Sequence, residues 1–95
     1  MRLSGGTAAR AFLAALFLAA PSWATDKARA QRSYEHAREL YLGGDFKRAL
    51  AELNDSIKDN SSQVAAYALR ARVWHVLGEA PEMRKDADLV VERLQ

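Results

Sequence analysis

Residues 37–57 read ARELYLGGDFKRALAELNDSI, and this stretch decides the fold. It is the end of one helix, a tight turn at Gly43 and Gly44, and most of a second helix. Phe46, Ala49, Leu50, Leu53 and Ile57 recur at three- and four-residue intervals and fall on one helical face. Asp45 is placed to cap the second helix, its carboxylate accepting from the free N–H groups of the first turn. One of the two glycines supplies the left-handed residue that ends the first helix. The result is a helical hairpin with an apolar inner face that needs a cover.

Upstream, Arg2 and Arg10 bracket a positive segment, and residues 11–20, AFLAALFLAA, are an unbroken apolar run. Pro21 interrupts any helix, and Ser22, Trp23 and Ala24 put small residues at the two positions a signal peptidase reads. Residues 1–24 are therefore expected to be a cleaved secretory signal, leaving a mature chain from Thr25. The run is short against the roughly 20 apolar residues that span a bilayer. An uncleaved N-terminal anchor is the alternative. No adjacent arginine pair marks a twin-arginine signal, and no cysteine follows the site to take a lipid.

The 95 residues hold 14 basic and 12 acidic side chains. Removing Arg2 and Arg10 with the signal leaves twelve of each, so the basic balance is no argument for nucleic-acid binding. There are no cysteines, which excludes disulfides, thiolate metal sites and cysteine nucleophiles. A small exported domain without these devices is expected to lean on association.

After the signal, Ala30, Tyr34, Ala37 and Tyr41 share the inner face of a first helix over residues 25–42, with Thr25 or Asp26 as its cap. The second helix runs over residues 46–58, and Asp59, Asn60, Ser61 and Ser62 form a polar turn. A third helix, residues 63–77, is apolar on two sides: Tyr67, Ala71 and Trp74 on one, Leu69, Val73 and Val76 on the other. Such a helix belongs between neighbours, at the centre of the domain. Gly78 ends it, and Pro81 opens a fourth helix whose expected buried stripe is Met83, Ala87, Val90, Val91 and Leu94. The acidic side chains read as wet-face residues. The fold class is all-α, with no strand periodicity.

Shifting the chain by 34 residues lays Ala37 on Ala71, Arg38 on Arg72, Gly44 on Gly78, Ala49 on Met83 and Ser56 on Val90. A 34-residue helix–turn–helix period, with Gly44-Asp45-Phe46 and Ala49-Leu50 in the first unit, resembles the tetratricopeptide repeat. The resemblance covers nearly all of residues 25–95, as units at about 30–63 and 64–95. His36 and Arg70 depart from the family's packing leucine, Met83 from its usual alanine, and no proline closes either unit. The resemblance implies two antiparallel hairpins stacked as a short right-handed solenoid. It also implies that the first helix of each hairpin lines a concave, partner-binding surface, onto which it sends Tyr34, Arg38, Tyr41, Arg72, His75 and Val76. An arginine from each unit, with aromatic rings beside it, suits an acidic side chain or peptide carboxylate.

No catalytic, cofactor or metal site is expected. Neither His36 nor His75 has an acidic residue four positions on within the same helix, no acid pair sits in an apolar pocket, and Gly43-Gly44 lacks the lysine and serine of a phosphate loop. The expected function is a non-catalytic adaptor, periplasmic in a Gram-negative bacterium or secreted, that binds a protein or acidic peptide and makes no membrane contact once cleaved. The alternatives are a membrane-tethered scaffold and an accessory subunit of an envelope enzyme. The family generally ends its stack with a polar capping helix, and none follows Leu94, so this end is expected to pair with a second copy or a partner.

Overall fold

Pro21 sets where the first helix begins. Its backbone lies at φ −62° and ψ 143°, extended at the residue from which the helix departs. The computed structural model describes residues 21–95, and the charged and apolar parts of the expected signal, residues 2–20, lie outside them. Among the described residues there are four α-helices and no strand: α1 (Ser22–Leu42), α2 (Phe46–Asp59), α3 (Val64–Val76) and α4 (Ala80–Leu94). The chain is all-α. α1 starts three residues before the expected position, and neither Thr25 nor Asp26 caps it. With Pro21 already outside the helix, nothing holds residues 22–24 out of it. Asp26 instead pairs with Arg29 one turn along, whose Nε reaches Asp59 Oδ2 of α2 at 3.1 Å.

The turns within the two hairpins, α1 to α2 and α3 to α4, are copies of one another. Gly44 lies at φ +83° and Gly78 at φ +80°, the left-handed region that glycine enters without a Cβ clash. Asp45 N–H donates to Leu40 O at 2.8 Å, and Glu79 N–H to Trp74 O at 2.9 Å. α1 ends at Leu42 and α3 at Val76, while α2 begins at Phe46 and α4 at Ala80, so both boundaries recur at the 34-residue offset seen in the sequence. Only the caps differ. Asp45 accepts from Arg48 N–H at 3.4 Å, whereas Glu79 makes no side-chain cap and Pro81 removes one of the donors that would need it.

Ala37 and Ala49, both fully buried, are small where α1 and α2 cross. Leu53 is sealed beside them, and α3 lays Ala66, Leu69 and Val73 over that surface. Tyr34, Leu40, Phe46 and Ile57 pack around the edge, with Tyr41 edge-on to Phe46 at 5.7 Å between centroids. α3 touches all three other helices. At the far end of the first hairpin the buried Ser56 Oγ lies 2.7 Å from both Ala30 O and Gln63 Oε1. Its single proton goes to one acceptor at a time, which ties α1 and α2 to the entry of α3.

α4 departs from the expected stripe. It adds nothing to the central apolar cluster, and its only buried side chain is Asp86. Met83 and Val90 are half-buried on either side of Asp86, whereas Ala87, Val91 and Leu94 face outward. The expectation that the acids all lie on wet faces fails at the same residue. The physical reason is Arg70. Standing on α3 among packed neighbours, its guanidinium requires a carboxylate, and Asp86 meets it with two hydrogen bonds of 2.7 Å. Those bonds hold the pKa of Arg70 above its ordinary value against the opposing effect of burial. Arg70 also donates to Asn54 Oδ1 of α2 at 3.1 Å, so one side chain links three helices. Tyr67 lies beneath, its ring 5.5 Å from Arg70 and 5.4 Å from Arg93 of α4, its hydroxyl donating to Ser61 O at 2.8 Å.

Candidate functional site

α1 and α3 run past each other with little direct contact and leave a cleft between them. Tyr34, Arg38 and Tyr41 fall at i, i+4 and i+7 on α1 and stand along one wall. Ala65, Ala68, Leu69 and Arg72 of α3 form the other. The alanines cannot fill the space, and a cavity of about 230 Å³ remains. A second hollow of about 420 Å³ adjoins it, bounded by Tyr41, Ala71, Arg72, His75, Met83 and Ala87. Tyr41 and Arg72 belong to both, so the two hollows form one run across α1, α3 and α4.

Of the six residues singled out from the sequence, Tyr34, Arg38, Tyr41 and Arg72 therefore line one cavity, and His75 joins Tyr41 and Arg72 in the next. Val76 lines neither and is 47% exposed at the end of α3. Ala65 and Ala68 of the α3 wall were not among those six, and Met83 and Ala87 were expected in a buried stripe and not at the site, although alanines at helical spacing beside a tyrosine already mark a place where a helix surface recedes. The second histidine stands apart from this run: His36 Nδ1 lies 3.3 Å from Glu52 Oε1 of α2. That pairing crosses between helices, which spacing along one helix does not reveal.

The cleft is electrostatically unbalanced. Among the described residues Arg29, Arg48 and Arg70 each hold a carboxylate; Arg38 and Arg72 of the cleft make no ion pair, and neither do Arg32, Arg84 and Arg93 outside it. On its outer side Arg38 shares a recess with Glu35 and Glu39, but neither bonds to it. Two free guanidinium groups at equivalent repeat positions thus face a partly apolar trough with two tyrosine rings, an arrangement that can hold a carboxylate bidentately beside a stacked or apolar side chain. No group of three or more potential metal-ligating side chains gathers among the described residues, and no described helix is long and apolar enough to cross a membrane. Neither protein-family models, curated proteins nor solved structures yield a match to this chain.

Proposed function

We propose that this chain is a small tetratricopeptide-like adaptor, exported across the bacterial inner membrane, that binds acidic segments of a partner protein and carries out no catalysis. The observation that carries the reading is the pair Arg38 and Arg72, free of ion pairs, 34 residues apart, on the walls of one cavity. The matching turns at Gly44 and Gly78 support the repeat architecture, and stacking of such units would give a short right-handed solenoid. Export rests on the charged, apolar and small-residue pattern of residues 1–24.

Anisotropy of a labelled peptide rich in Asp and Glu with one Phe, titrated at several salt concentrations, tests the groove. Binding is expected to weaken with salt, and Arg38→Glu with Arg72→Glu to lower affinity at least about tenfold while helicity is unchanged. Unchanged affinity of the double variant at low salt contradicts the proposal. A second reading, a scaffold tethered by an uncleaved N-terminus, draws on α1 running unbroken across the expected cleavage bond between Ala24 and Thr25. The mass of the protein isolated from its native envelope decides between them: a chain beginning at Thr25 supports export with cleavage, and an intact Met1 supports the tether.

A further inference from the structure

The internal repeat shows how a face like the outer side of α4 is covered. In the first hairpin, the side of α2 that carries Leu53 and Ile57 is overlaid by α3. The residues 34 positions on are Ala87 and Val91, and among the described residues nothing overlies them: Val91 is 56% exposed, and Leu94, one turn further, 74%. This face is thus the continuation of the hairpin–hairpin interface already formed inside the molecule.

The opposite end of the stack cannot serve as its cover. The stripe with which α3 seals the first hairpin is Ala66, Leu69 and Val73, all buried. On α1 the residues 34 positions earlier are Arg32, Glu35 and Glu39, all exposed. Head-to-tail stacking would bury Arg32, Glu35 and Glu39, an excess of one negative charge even if Arg32 pairs with a glutamate, against the apolar Ala87 and Val91, at a large desolvation cost. Open-ended growth is thereby opposed by charge, and pairing of two like faces is not.

The α4 face is also complementary to itself. Leu94 lies three residues after Val91 and Ala87 four before it. When two α4 helices run antiparallel about a twofold axis at Val91, Leu94 of one copy comes within one residue of Ala87 of the other. At Ala87 the small side chain leaves the 420 Å³ hollow with Ala71 and Met83, where the first hairpin has the buried Leu53. The projecting leucine thus meets a recess, and Asp88 and Glu92 fall opposite Leu94 and Val90 instead of opposite like charges. We infer that the protein forms a closed, twofold dimer through α4, with Leu94 of each copy seated over Ala87 of the other. The inference does not rest on the acidic-peptide reading, although its recess is the hollow at the α4 end of that cleft.

The chain has no cysteine, so single introduced thiols report the geometry cleanly. Sedimentation of the intact chain should pass from monomer to dimer with rising concentration and stop there. Val91→Glu should give a monomer of unchanged helicity, and mild oxidation of Val91→Cys should yield a disulfide-linked dimer while Glu35→Cys stays monomeric. A species that remains monomeric up to submillimolar concentration, assembly that continues past the dimer, or cross-linking between Glu35→Cys and Val91→Cys when the two are mixed would each overturn it. The last would show head-to-tail stacking, and a monomer that captures a different protein on α4 would show another occupant. Should Val91→Glu fail to fold, the milder Leu94→Ser, which removes the projecting side chain alone, should still reduce dimer formation. Full dimerisation of that variant also counts against the inference.

Discussion

In the first hairpin Ala37, Ala49 and Leu53 are sealed from solvent, and the two helices share an apolar seam that α3 completes. In the second, the corresponding residues are Ala71, Met83 and Ala87: two are half-buried and the third is exposed. The backbone turn is the same in both, down to the left-handed glycine and the hydrogen bond that follows it. What differs is the material that joins the helices. α4 is fastened to α3 by the carboxylate of Asp86 on Arg70 and by Arg93 over Tyr67, with a thinner apolar layer of Met83, Leu89 and Val90. The comparison teaches that a turn specifies the hairpin, whereas the neighbour on its far side decides how apolar the hairpin needs to be.

The largest effect should come from Leu53→Asp, which puts an unpaired charge into the sealed seam and removes a fully buried leucine. A loss of more than about 4 kcal/mol is expected, enough to abolish cooperative melting followed by circular dichroism. The position-matched Ala87→Asp, on an exposed residue, should change the stability of the dilute protein by less than about 0.5 kcal/mol. Similar losses at the two positions would break the comparison.

Asp86→Ala comes next. Arg70 would be left four-fifths covered without its carboxylate, and a cost of about 3 kcal/mol is expected. Combining Arg70→Met with Asp86→Leu should recover most of it, because two well-packed apolar groups can replace a buried pair. Denaturant titrations of Arg70→Met, Asp86→Leu and the double variant form the cycle that measures the coupling. Additive losses would mean that the ion pair is not what holds α4.

Smaller effects test the sameness of the turns. Gly44→Ala and Gly78→Ala each place a Cβ on a left-handed residue with no other atom within 4 Å, so only backbone strain is felt. About 1 kcal/mol is expected for each, equal within error. An appreciable inequality would show that the turns are not energetic equivalents. Smallest of all, Asp45→Ala should cost about 0.5 kcal/mol through its long cap bond to Arg48 N–H, and Glu79→Ala close to nothing.

These contrasts also explain what the sequence disclosed. Gly44 and Gly78 recur at a fixed period, and Ala37 and Ala49 act through contacts near in sequence, so the hairpins, their turns and the first core were readable from spacing, whereas the start of α1 was not. It was the resemblance to the tetratricopeptide repeat, not spacing by itself, that sent Tyr34, Arg38, Tyr41 and Arg72 to one surface, and these four line one cavity. The rotation of α4 was not readable. Val90, Val91 and Leu94 are the strongest apolar marks on that helix, and only Arg70, sixteen residues away on α3, turns Asp86 inward instead. A polarity pattern assigns a lone aspartate to water, because it cannot see the guanidinium waiting across the interface. The α3 wall of the cleft escaped for a related reason: Ala65 and Ala68 matter through the space they leave, not through a group they present.

Amide hydrogen exchange along the chain, followed at low and at high protein concentration, tests the contrast between the hairpins most directly. In dilute protein the amides of α4 should exchange well before those of α2, through openings that release α4 while the seam around Leu53 stays closed. At high concentration the protection of α4 should rise as its outer face is covered, with that of α2 moving little. Equal protection of α2 and α4 at both concentrations would contradict the account.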